Sequence, residues 1–147
     1  MSLDVPRFTI TIGTQRFPAR LLCGTASASY AYLMALLPYS GSVIHARWSG
    51  EAIWSPLEKV APAGAILPPE NPGWTPEPGM ILLYADASSE PELLIPYGPC
   101  RFACKAGALE GNPVLAIEHG LARIAELGRE ILWRGAMPFA MRAHHEG

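Results

Sequence analysis

The sequence predicts a mainly β protein, a barrel-like body of about eight strands with two short helices, and three stretches carry that prediction. In SVIHARWSGEAIWSPL (42–57), two runs with period-2 patterning flank Ser49-Gly50. A short glycine-containing link between such runs signals a β-hairpin. RFTITI (7–12) sets Phe8, Ile10 and Ile12 against Arg7, Thr9 and Thr11, the alternation of a half-buried strand rich in β-branched residues. MILLY (80–84) is a continuous apolar run between Gly79 and the turn-rich ADASSEP, as expected of a strand buried on both faces.

The other elements follow in order. Gly13-Thr14-Gln15 turns the first strand into RFPARLL (16–22), where Pro18 marks an edge or a bulge because proline cannot donate to a central ladder. Thr25 or Ser27 caps a helix that ends at Pro38 and carries Tyr30, Leu33, Met34 and Leu37 as one apolar stripe. Residues 56–79 are dense in proline and glycine, which predicts an ordered, extended loop over one barrel end. Trp74 near its tip either tucks back onto the body or serves as a lid. ELLIPY (92–97) pairs with MILLY, and GPCRFACKAGALEGNP (98–113) forms a second functional-looking loop. A short strand over Val114–Ile117 precedes a helix over Gly120–Leu127 that Gly128 stops. REILWR (129–134) alternates through Ile131 and Trp133 as a last strand closing the sheet. The tail beyond Gly135 carries Met137, Phe139 and Met141 and predicts docking on the body or on a second copy, giving a homodimer.

A chain of 147 residues is one domain by length, half hydrophobic, with 16% charged residues. A net charge of −2 and a pI near 6.1 lack the basic face that displaces counterions from phosphates, so nucleic acid is not an expected partner. No apolar run reaches the roughly 18 residues of a membrane span and no signal peptide opens the chain; a cytoplasmic protein without membrane contact is expected. Cys23, Cys100 and Cys104 lack zinc or disulfide spacing, so reduced thiols are expected, and neither a metal nor a cofactor. His144 and His145 gain no metal partners from the sequence. Nucleophile elbow, phosphate loop and calcium-loop patterns are missing from the sequence.

The candidate site lies on the central hairpin. With Trp48 opposite Glu51, Ala46 faces Ile53 and Ile44 faces Ser55, and side chains alternate along each strand. His45, Arg47, Ala52 and Trp54 then share the second face. Tyr97 supplies a further apolar wall. On the following loop, beside Phe102, Arg101 and Lys105 together would hold a carboxylate, arginine by its bidentate fork. A plain surface arrangement of Arg47 stacked on Trp54 accounts for the same pattern. Three functions remain open. Arg47 and His45 would bind a small anionic or amide-bearing ligand between Trp54 and Tyr97. Alternatively, an enzyme would act on a small amide or cyclic substrate, His45 moving protons, with Arg47 a catalytic candidate beside it and Glu51 or Glu118 supplying a carboxylate. Cys104 beside Lys105 is a further nucleophile candidate there. Third, the chain would be an oligomeric interaction subunit.

RLL with its helix ending ALLP, IHARWSGEAIW, PGMILLY with LLIPYG, and RFACKAG with GLARIAELG and ILWRGA together resemble a bacterial cyclophilin-like family of unknown function. The resemblance implies a closed cyclophilin-like barrel as a single domain over residues 1–147, with an apolar tail over 136–147. It also implies that Arg47 is the counterpart of the arginine that stabilises a twisted prolyl amide in cyclophilins. Their adjacent His-Arg is here split by Ala46, and Trp54-Ser55-Pro56 replaces their glutamine region, so prolyl isomerase activity is not expected.

Overall fold

The computed structural model describes residues 5–57, 66–73, 75–86 and 90–145; Trp74, expected to tuck or to act as a lid, lies outside them. Eight strands close into an antiparallel barrel: β1 (Arg7–Ile12), β2 (Gln15–Leu21), β3 (Tyr39–His45), β4 (Gly50–Pro56), β5 (Met80–Tyr84), β6 (Glu92–Cys100), β9 (Asn112–Ile117) and β10 (Met137–His144). Their order around the barrel is β1-β10-β3-β4-β6-β5-β9-β2. β7 (Ala103–Cys104) and β8 (Gly107–Ala108) form a separate two-stranded ribbon. Among the described residues no helix is long and apolar enough to cross a membrane.

Strand alternation sets the core. Phe8, Ile10 and Ile12 of β1 point inward to meet Val43, Ile53, Ile81, Leu93, Ile95 and Leu115. The apolar run of β5 has a second use, because Leu82 and Tyr84 point outward with Leu94 and are covered by Phe102 and Leu109. That outer layer explains why MILLY alternates with nothing polar.

Helix α1 (Ala28–Leu36) is capped by Ser27, whose Oγ accepts the Tyr30 N–H at 3.1 Å. It buries Tyr32, Leu33 and Leu36; of the expected stripe, Tyr30, Met34 and Leu37 are only half-buried. Glu70, from the proline-rich loop, adds a second cap by accepting the backbone N–H groups of Ala28 and Ser29 at 3.1 and 2.7 Å, and the Ser29 hydroxyl. Buried Asn112 ties that loop to the barrel, accepting the Glu70 N–H and donating to Ser29 and the Pro68 carbonyl.

Helix α2 (Leu121–Arg134) contradicts the expected last strand, since REILWR is helical. Ile124, Leu127, Gly128 and Ile131 lie three or four residues apart and are buried as one stripe. Gly128 does not stop the helix; its missing Cβ makes room for the Tyr97 ring. Trp133, expected inside a strand, is 81% exposed. The strand that completes the barrel is instead the tail: β10 lies between β1 and β3 and buries Phe139 and Met141, a gain of about 1.5–3 kcal/mol each. Gly135 permits the reversal between α2 and β10 at φ +101°.

Candidate functional site

The central hairpin forms with a register one residue from the expected one. Ile44 pairs with Trp54 and His45 with Ile53. The link is longer than two residues: the Ala46 carbonyl accepts the N–H groups of Ser49 and Gly50 at 2.8 and 3.2 Å, so the chain turns over Arg47–Gly50. Gly50 sits at φ +122°, and a Cβ there would lie 2.7 Å from the Pro99 carbonyl oxygen. Opposed residues share a face, so a one-residue shift regroups every side chain. His45 turns inward with Ile53, while Trp54 turns outward with Ile44. The expected common face of His45, Arg47, Ala52 and Trp54 is therefore divided.

His45 and Tyr97 make a tight pair. The imidazole Nε2 lies 2.6 Å from the Tyr97 hydroxyl, and the rings meet edge to face at 5.6 Å. Nδ1 is buried with no hydrogen-bond partner among the described residues. Burial, helped by the Arg47 charge and opposed by Glu51, holds the His45 pKa below its ordinary value. Burial and the Glu51 charge raise that of the Tyr97 hydroxyl. Glu51 thus lies near this pair, contrary to its expected placement on the opposite face, and its carboxylate rests on Gly98, where a Cβ would lie 2.8 Å from Oε2.

Arg47 stands outside the pair and lines a groove of about 970 Å³ with Arg101 and Phe102. Two loops are pinned together to form it: the Ser49 carbonyl accepts the Arg101 N–H at 2.8 Å, and the Ser49 hydroxyl accepts the Ala103 N–H at 3.1 Å. Pro76, Pro78 and Pro99 form the walls. Among the described residues the charged groups lining the groove are Arg47, Arg101 and Glu77. Phe102 is fully buried beneath it.

Trp54 belongs to another cleft, of about 470 Å³, shared with Trp48, Glu90, Glu92, Cys104 and Lys105. The two indoles meet edge to face at 5.6 Å. Arg101 and Lys105, expected to hold one carboxylate, are divided between groove and cleft. Glu92 is 4% exposed and was not singled out by the sequence; the available signal was a lone acid opening the apolar strand LLIPY. Burial, with the Glu90 charge adding and the Trp54 indole opposing, raises its pKa to about 7. The Cys104 thiol accepts the Ala106 N–H at 3.3 Å. Glu118 pairs with Arg7 at 2.7 Å, and His144 Nε2 lies 3.0 Å from the Thr9 hydroxyl. Among the described residues no group of three His, Cys, Asp or Glu is placed to hold a metal.

Residues 8–143 match the family described as "Protein of unknown function (DUF3830)". The chain belongs to that family. No curated protein matches this DUF3830 member significantly. Among solved structures it is similar to McbB in complex with tryptophan, at a TM-score of 0.63 and 16% identity. That likeness covers 95% of this chain but 45% of McbB, so the chain spans less than half of its neighbour's length and shares with it a fold.

Proposed function

We propose that this DUF3830 barrel is cyclophilin-like and binds a small anionic or amide-bearing ligand in the groove beside Arg47, without prolyl isomerase activity. The observation that carries the reading is the convergence of Arg47 and Arg101 from two loops pinned through Ser49. Guanidinium groups donate in a planar fork that matches a carboxylate or an amide carbonyl, and proline-lined walls suit the apolar remainder of a small ligand. McbB, solved with tryptophan, is a compatible precedent for a small guest on this fold. An enzymatic reading rests on His45, but its Nε2 is engaged with Tyr97 and the side chain does not line the groove.

The test is calorimetric titration with a panel of small carboxylates and cyclic amides. Arg47→Ala and Arg101→Ala are each expected to weaken a hit about tenfold or more, about 1.4 kcal/mol, and Arg47→Lys to restore only part because the fork is lost. Affinity unchanged in both alanine variants refutes the assignment.

A further inference from the structure

The cleft beyond Trp48 has a chemistry opposite to that of the groove. Glu92, the first residue of β6, pairs with Pro56 of β4 and Tyr84 of β5. Alternating with the outward-facing Leu94, it points out of the barrel. Trp54 pairs with Leu94 two residues along, Trp48 stands edge to face against Trp54, and the β7–β8 ribbon brings Cys104 and exposed Lys105 to the opposite wall. A volume of about 470 Å³ suits a small organic guest.

An ionised carboxylate in such a place is costly without a cation. Among the described residues no ion pair reaches Glu92 or Lys105, and the neighbouring Trp54 indole is a neutral group that favours the ionised carboxyl without cancelling its charge. Indole rings carry negative charge density on their faces and attract cations. Among the described residues the buried Glu92 carboxyl and two indoles, with the lysine of the cleft exposed to solvent, therefore favour a positive guest.

We propose that this cleft is a binding site for a small organic cation, an amine or quaternary ammonium, held against Trp48 and Trp54 with its charge on Glu92. The site is proton-linked, because the Glu92 carboxyl titrates at about 7 and a bound cation competes with the proton. Glu90, Tyr84, Cys104 and Lys105 are the other titratable groups that face Glu92, so the glutamine variant is needed to assign the effect.

The experiment titrates the full chain with choline and benzylamine, and with their neutral counterparts 3,3-dimethylbutan-1-ol and benzyl alcohol, following indole emission and heat at pH 6 and pH 8. Both cations are expected to bind about tenfold more tightly at pH 8, as the ionised fraction of a carboxyl titrating at about 7 rises from ~0.1 to ~0.9. Near pH 7 the heat should depend on the buffer, reporting proton release. Glu92→Gln should lose about tenfold or more and flatten the pH dependence; Trp54→Leu, folded by its thermal melt, should also weaken binding. Neutral counterparts binding equally well, a flat pH dependence in the native chain, full retention by Glu92→Gln, or no saturable binding of either cation overturns the proposal. Should Glu92→Gln fail to fold, the native chain's pH dependence decides.

Discussion

The Tyr97 ring lies against Gly128 so closely that a Cβ on residue 128 would overlap ring atoms Cδ1 and Cε1. Alanine normally improves a helix interior over glycine by up to about 1 kcal/mol. Here Gly128→Ala is expected to destabilise the protein by about 1–3 kcal/mol through overpacking. In a Tyr97→Ala background the same change should become neutral or stabilising. Urea midpoints of the two single variants and the double variant measure this coupling, and an unaltered cost in the Tyr97→Ala background disproves it.

Removing the Tyr97 hydroxyl isolates the imidazole. Tyr97→Phe leaves His45 Nε2 without its partner, a cost of about 1–3 kcal/mol for a buried polar group. The lowered His45 pKa means that the folded chain favours the neutral ring. Its contribution is present above the ordinary value of 6.5 and is lost as pH falls through the lower folded value. Denaturant melts from pH 8 to pH 5 should show this loss in the native chain and a smaller one in His45→Gln.

Glu92 acts in the opposite direction. Its folded pKa is raised from 4.5 to about 7, so its contribution is fully present below pH 4.5 and lost as pH rises through 7. The full difference corresponds to about 3 kcal/mol. Glu92→Gln should therefore be roughly 2–3 kcal/mol more stable than the native chain at pH 8 and show little advantage at pH 5. Equal midpoints at pH 8 would sink this expectation.

Glu70 holds the proline-rich loop onto α1. Glu70→Ala should cost about 1 kcal/mol, the scale of a partly solvated helix cap, and should expose the loop to limited proteolysis. The Ser29 hydroxyl bond, with the two backbone N–H groups, keeps the Glu70 pKa below its ordinary 4.5. This stabilisation is present above pH 4.5 and lost as pH falls through the lower folded value. A cost that persists undiminished at pH 2 would contradict the assignment.

Much of the barrel is legible because strands declare themselves locally. Phe8, Ile10 and Ile12 alternate as they pack, and Ser27 sits where the α1 cap belongs. The misreadings have tertiary causes. Ile131 and Trp133 alternate like strand residues, yet Ile131 shares a helical stripe with Ile124 and Leu127, and Gly128 reads as a stop until Tyr97 is seen to occupy its space. The hairpin itself is legible, but its register depends on a turn over Arg47–Gly50 closed by hydrogen bonds to the Ala46 carbonyl, with Gly50 held close against Pro99 of β6. That single-residue difference removes His45 and Trp54 from the groove while leaving Arg47, Arg101 and Phe102 there. The burial of Glu92 is not legible in the sequence, because it depends on the β7–β8 ribbon folding over the outer face of the barrel.

Closure of the barrel also governs how copies of this chain can meet. Every barrel strand has a hydrogen-bonded neighbour on both sides, so none presents an open rank of amide groups on which another molecule could template a further strand. Pairing through the barrel strands would first require the barrel to be pried apart, which leaves side-chain surfaces such as the one around exposed Trp133 and the short β7–β8 ribbon as places where copies can meet.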